Sequence, residues 1–417
     1  MNVWSICAND EEIRNLKRKM EELDQREAFT KKQTLTREVE DFVEQTLPQT
    51  PLIDVKDAKG EAFLVGNLEG AKIHMNIELI WDRLKENQPC KLGISGMGGV
   101  GKTSIMMEIH NRVLKDATFN DPLFITVSRD FSIYKLQSAL WKALKFGVME
   151  DEHEKKRAAM LSEQLETKKN CVLILDNVWE HFNLQDVGIP DKAGLKVVLT
   201  TRSSRVCSQM DCEEIKIEPL GEEEEWKLFM VELGAKTLTT KRVEKVARKI
   251  AKRCAGLPLA IKTLASSMKG ENNFCVWQDT LNKLERSQTK HTELGEKVLS
   301  VLALSYERLR DPQVKQCFLF CALFPEDSPT NLIEHFIDEG FLDELDTRRD
   351  QYFRGHAIVG TLQNACLLEL DFYFVRMHDL IREMALQIKN TAYMVRAEGL
   401  ERIPHEKFWT EDLEKAS

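Results

Sequence analysis

The sequence predicts an α/β domain on a parallel, doubly wound sheet, then an all-α domain and a winged-helix domain, with a partial helical segment ahead of them. Three observations predict it. Apolar strand-length runs at 91–95, 123–127, 172–175 and 196–200 alternate with helical stretches; strands that alternate with helices form parallel sheets. After Pro219 the strands stop and helical periodicity alone continues to about Leu342. Two short extended runs, 367–370 and 373–377, then enclose a tight connection ahead of a helix from Asp379. At 417 residues the chain is too long for one ordinary domain.

Taken in order, the first fifty residues read as part of a coiled-coil-like helical domain. Ile13, Leu16, Met20 and Leu23 follow a 3-4-3 seam that decays at Glu27 and Thr30, short of the three or four heptads a coiled coil needs. Leu35, Val39 and Phe42 mark a second helical run, ended by the Pro-Gln-Thr-Pro linker from Pro48. Residues 51–219 are the α/β domain, in which strand 91–95 leads into the glycine loop Gly96–Gly101 and a helix over Thr103–Leu114. Residues 220–312 form the helical domain. Gly221 and four glutamates open its first helix; acidic residues suit the positive end of a helix dipole, so the run is read as structural. Val243, Val246, Ile250 and Cys254 make another helical face, and Gly256-Leu-Pro-Leu-Ala260 breaks it with Pro just inside the next helix. Residues 313–400 are the winged helix and 401–417 a tail.

Composition excludes several classes. Lys and Arg number 59 against 68 Asp and Glu, a net charge of −9, the wrong field for nucleic acid without a local basic patch. Between Asn331 and Val395 eleven acidic residues face six basic ones, which argues against DNA phosphate contacts by the winged helix. No window of eighteen apolar residues occurs, so no transmembrane segment is expected. The start lacks a secretory signal, and residue 2 is Asn rather than Gly. Ten cysteines without a Cys-x-x-Cys pair are read as reduced thiols, Cys317 and Cys321 as a packed helical face. A cytoplasmic location is expected.

One motif dominates the chemistry. Gly96-Met-Gly-Gly-Val-Gly-Lys-Thr103 fits G-x-x-x-x-G-K-[ST], after a strand and before a helix. Without Cβ atoms in the way, the N–H groups of such a turn converge on an anion at a helix N-terminus. Lys102 supplies a point charge to the phosphates, and Thr103 a hard oxygen for Mg²⁺. Val172-Leu-Ile-Leu-Asp176 is an apolar strand ending in a carboxylate, placed where Mg²⁺ sits in such sheets. Lys196–Arg202 ends a further strand in a guanidinium that suits a γ-phosphate or, on spacing alone, an exposed turn. His378, alone before its helix, reads by residue chemistry as structural.

In order, these segments resemble the NB-ARC module of plant intracellular immune receptors, the nucleotide-binding leucine-rich-repeat class with a coiled-coil N-terminus. The matching segments are Gly96–Thr103, LFITVSRDF (123–131), VLILDNVW (172–179), KVVLTTR (196–202), GLPLA (256–260), CFLFCALFPED (317–327) and Met377-His-Asp379. The resemblance implies an ADP/ATP switch in defence signalling, closed around ADP at rest, with exchange for ATP allowing self-association and contact with other immune-signalling proteins. It implies that Gly96, Met97, Gly98, Gly99, Val100, Gly101, Lys102, Thr103 and Ser104 cradle phosphates, and that Thr103 and Asp176 hold Mg²⁺. Arg202 would sense the γ-phosphate, Pro258 would pack beside the nucleotide, and His378 would contact the ADP β-phosphate. Val65, within 63–66, would border the adenine.

Three departures stand out. Asn177 takes the place of a second aspartate in 172–177, leaving Asp176 and Asn177 as the catalytic candidates and hydrolysis at most slow. The N-terminal helical segment is shorter than the family's. The chain stops at Ser417 with no leucine-rich repeat, as expected of a truncated family member, a fragment or an adaptor-like form. The competing readings are a turnover P-loop ATPase, for which no acceptor site is evident, and a decoy without its own signalling output.

Overall fold

The computed structural model describes residues 62–63, 65, 68 and 70–388, except 87–89, 121, 128, 130, 147–148, 150–152, 235–236, 238–239, 289–293, 325–331, 346 and 372–373, and also 393–394 and 415–416. The helical runs and linker expected in 1–50, and nearly all of the tail, lie outside the described residues. Chain packing divides the described residues into two units: one runs to 330 and resumes at 359, the other takes 331–358.

In the first unit, β1 (Cys90–Ser95), β2 (Leu123–Thr126), β3 (Cys171–Val178), β4 (Leu195–Thr201) and β5 (Glu213–Lys216) form one sheet in the order β2-β3-β4-β1-β5. Every pairing is parallel. Strand β3 is covered on both faces. Cys171, Leu173 and Leu175 of β3 share a core with helices α3 (Ile133–Ala143) and α4 (Glu154–Thr167), whereas Val172 and Ile174 are buried outside it. Helices α1 (Ala71–Lys85) and α2 (Lys102–Lys115) pack on β1 and β3. That is the doubly wound sheet the alternation predicts. Short helices α5 (Leu184–Val187) and α6 (Ser204–Gln209) complete the connections.

Topology fixes the place of the site. The connection leaving β1 runs across the sheet to β2, and the one leaving β4 runs the other way to β5. In an open α/β sheet, ligands sit beyond the carboxyl ends of strands whose connections diverge in this way.

Helices α7 (Glu222–Leu233), α8 (Lys241–Lys252), α9 (Pro258–Ser267), α10 (Phe274–Gln288), α11 (Leu294–Glu307) and α12 (Pro312–Cys321) follow and pack on one another around Phe229, Leu264, Trp277 and Leu302. The acidic run is structural, as its position suggests. Glu224 accepts from the N–H of Gly221 (3.2 Å) and of Ala71 (2.6 Å), and Glu222 pairs with Lys252 at 2.5 Å. Glu225 is buried, and burial pushes its carboxyl up to about 7. Cys317 and Cys321 are both buried on α12, and each cysteine among the described residues is a free thiol.

The second unit contains α13 (Leu332–Asp338), held to the start of α14 (Arg348–Asn364) by Arg348–Glu334 at 3.3 Å. The first unit resumes at 359, within α14, and continues with the antiparallel hairpin β6 (Glu369–Asp371) and β7 (Phe374–Arg376), then α15 (Asp379–Ile388). Helix α15 packs on α11 and α12. Arg382 donates from Nε to the carbonyls of Ala322 and Phe324, each at 2.9 Å.

Candidate functional site

The loop between β1 and α2 is shaped for an anion. Gly99 (φ 73°) and Gly101 (φ 100°) adopt left-handed conformations that a side chain would strain. Gly101 caps α2, whose first turn carries no acidic residue, so the positive end of its dipole is left for a ligand. The loop is also crowded from outside. A Cβ on Gly99 would lie 2.9 Å from Leu259, whose own N–H donates to the Gly99 carbonyl at 3.2 Å. Pro258 occupies the first turn of α9 just before that contact, half-buried. Thus the Gly256–Ala260 segment is brought onto the phosphate loop. Met97 and Ser104 are half-buried, and Val100 is buried beneath the turn.

Lys102 is buried, its ammonium donating to the carbonyls of Gly96 (2.8 Å) and Met97 (2.9 Å). Burial first, and then the Arg202 charge, lower it to about 8 against the opposing pull of Asp176. A bound polyphosphate favours the ammonium form and raises that value again, so binding above pH 8 takes up a proton. The Lys102 contribution to affinity should therefore be complete below pH 7 and fall as pH rises through 8, by up to about tenfold per unit. Calorimetry in two buffers of different ionisation enthalpy checks this: proton uptake on binding at pH 9 that disappears toward pH 7.

Asp176 ends the buried part of β3 with every oxygen engaged. Thr103 Oγ1 donates to Oδ2 at 2.9 Å, and Thr200 Oγ1 donates to Oδ1 at 2.6 Å. The Thr200 oxygen in turn accepts the Asn177 N–H at 2.8 Å. Between Leu175 and Val178 the β3–β4 register shifts, and Asn177 sits there at φ 66°. Asn is among the few non-glycine residues that adopt this conformation readily, and such a bulge re-aims the neighbouring side chain. Thr103 and Asp176 thus present hard oxygens side by side at the phosphate loop. That donor set fits Mg²⁺, which takes one or two protein oxygens together with substrate phosphates.

The remaining cations gather at the same edge. Arg202 lies against Gly98, where an added Cβ would be 3.0 Å from its Cζ, and its Nη2 pairs with Asp379 Oδ2. Its guanidinium also lies over the Trp179 ring, 4.7 Å from the centroid. His378 caps the start of α15, its Nδ1 accepting the Leu380 N–H at 3.1 Å, which leaves the proton of a neutral ring on Nε2. Asp379 Oδ1 approaches the same Nδ1 to 2.7 Å, a contact that would want a proton there. Burial, followed by Arg202, Lys102 and Arg376, lowers the imidazole, so the neutral ring is the form favoured. With 27% of the side chain still open to water, solvent tempers that shift without reversing it. Lys102 and Arg202 are thereby placed beside the loop where an anion would enter.

The structure brings Gly96–Ser104, Asp176, Asn177, Arg202, Pro258 and His378 to one edge. Two residues before Val65, Phe63 is fixed to α2 by Asn111, which accepts the Phe63 N–H and donates to its carbonyl, both at 2.8 Å. That anchor lies about two and a half turns down α2 from Lys102. Leu64 and Gly66 lie outside the described residues. Sequence reading missed Thr200; its signal was a hydroxyl at the end of an otherwise apolar strand.

Comparison with known proteins follows this geometry. The family model described as the NB-ARC domain matches residues 73–253. The disease resistance protein RPS5 of Arabidopsis thaliana is 34% identical over 380 residues, covering 86% of this chain and 42% of its own length. The disease resistance protein UNI of the same organism is 35% identical over 352 residues, 80% of this chain and 40% of its own. The chain spans about two fifths of the length of these relatives. Among solved structures, a signal transduction ATPase with numerous domains and a tetratricopeptide repeat sensor, from Pyrococcus horikoshii, aligns at a TM-score of 0.48 with 16% identity, over 81% of this chain and 44% of that one.

Proposed function

Because this chain carries an NB-ARC domain and is a relative of plant disease resistance proteins, we propose that it is an ADP/ATP switch in plant immune signalling. The observation that carries the reading is the pairing of Arg202 with Asp379, beside Lys102 and His378. Arg202 stands at the end of β4, where a guanidinium reaches a third phosphate, and Asp379 stands at the start of α15. One guanidinium cannot serve both anions fully. With ADP, Arg202 stays with Asp379 and the neutral His378 offers its Nε2–H to the β-phosphate. With ATP, Arg202 turns to the γ-phosphate and Asp379 is released. Mg²⁺, held with the nucleotide by Thr103 and Asp176, would neutralise phosphate charge.

On this reading residues 51–219 bind the nucleotide, 220–312 cover it, and 313–400 form a winged helix that carries the Asp379 tie. ADP marks the resting state, and ATP permits self-association or contact with other immune-signalling proteins in the cytoplasm. A turnover ATPase is the second reading, and slow hydrolysis with nucleotide retained through purification separates the two.

Asp379→Val should therefore speed ADP release. Losing about 1.4 kcal/mol of ADP-selective contact shifts the balance tenfold, and His378→Ala should act in the same direction. Stopped-flow chase of a fluorescent ADP analogue measures it. An off-rate equal to wild type in both variants would refute the tie.

A further inference from the structure

The carboxyl ends of three neighbouring strands carry a row of side chains that phosphate binding alone leaves unexplained. Arg129 follows β2, Trp179 follows β3 and Arg202 follows β4. Both guanidinium carbons lie close to the Trp179 ring centroid, Arg202 at 4.7 Å and Arg129 at 4.9 Å. The indole Nε1 is buried and has no hydrogen-bond partner among the described residues. A buried, unpaired N–H is unfavourable, so the polar edge of the indole does not explain its place. What the ring offers is its face, which attracts cations through the ring quadrupole.

We infer that Trp179 is a positioning residue for Arg202: its indole face keeps the guanidinium beside the phosphate loop when Asp379 lets go, while Arg129 on the same ring opposes it by like charge. The inference rests on the reading of Arg202 as the γ-phosphate contact. Asp379 is an anionic hold on Arg202 in this structure, and exchange removes it. A long side chain freed of that hold would disperse over many rotamers. The indole restricts the search, and Gly98 leaves room for the guanidinium to lie against the phosphate loop, where it already is in this structure. The platform matters for the third phosphate and not for the two that ADP shares with ATP.

The test measures ADP and ATP affinity by calorimetry on the full chain, for wild type, Trp179→Leu, Trp179→Phe and Arg202→Ala. Trp179→Leu fills space without a π face and should lower the ATP-over-ADP preference about tenfold, with ADP affinity within about threefold of wild type. Trp179→Phe restores an aryl face and should recover most of the preference, leaving a loss of about threefold. Equal losses for both nucleotides in Trp179→Leu would show a merely structural residue and overturn the inference. So would an unchanged preference, or a Phe variant no better than Leu. Should the Leu variant fail to fold, Trp179→Phe decides alone: no loss of preference overturns the inference. If Arg202→Ala itself keeps the preference, the γ-phosphate reading of Arg202 falls, and this inference with it. If Arg202→Ala loses it and the Trp179 variants do not, only this inference falls.

Discussion

Lys102→Ala is expected to abolish the stabilisation of this protein by ADP and ATP. A ligand that binds only the folded state at about 100 times its Kd adds roughly 2.7 kcal/mol, a rise of about 5–10 °C in melting temperature for a domain of 150–250 residues. The variant should show none of it, because the ammonium facing the phosphates is gone. Its melting without nucleotide should change far less. In the free protein the ammonium is buried and lowered to about 8, so its removal relieves a desolvation cost as it breaks the bonds to the Gly96 and Met97 carbonyls. Scanning fluorimetry of both proteins with and without nucleotide and Mg²⁺ reads both effects. A wild type that shows no shift with either nucleotide would mean that the loop does not bind them.

Asn177→Asp is expected to raise single-turnover ATP hydrolysis by about 10²–10⁴, roughly 3–5 kcal/mol of barrier. An amide cannot accept a proton at neutral pH, whereas a carboxylate can take one from the attacking water. Backbone geometry favours a clean comparison. Asp, like Asn, tolerates the left-handed conformation at φ 66°, and the hydrogen bond to Thr200 comes from the main chain. ATP binding should survive, since Thr103 and Asp176 remain. Equal rates in wild type and variant, both shown to be loaded with ATP, would remove this position from control of the reaction.

Much of this site is legible in the sequence because its parts are local. A glycine loop between a strand and a helix, or a carboxylate ending an apolar strand, needs only neighbours within a few residues. Strands β1, β3 and β4 stand out for the same reason, since consecutive residues of each are buried, whereas β2 alternates between buried and half-buried residues. Strand β5 does not stand out: at the sheet edge it reads Glu-Glu-Ile-Lys, with Ile215 alone buried, and polar edge strands carry little apolar signal. Helix α1 has its signal in plain view, with Ile73, Ile77, Ile80 and Leu84 buried on one face, yet it falls between the linker and the first strand, where neither pattern directs attention. The tie between Arg202 and Asp379 joins residues 177 positions apart; no periodicity encodes such a pairing. Residue chemistry likewise leaves His378 structural, because the three cations that surround it come from distant segments.

The grip of Arg382 on the Ala322 and Phe324 carbonyls has a mechanical meaning. Arg382 stands one helical turn beyond His378, and its own N–H is bonded to the His378 carbonyl at 2.9 Å. Helix α15 is thereby riveted near its first turn to the end of α12, so the two travel as one stiff arm. On the proposed switch reading, a displacement of the chain at 322–324 would reach His378 and Asp379 through this one side chain, without contact at the phosphate loop.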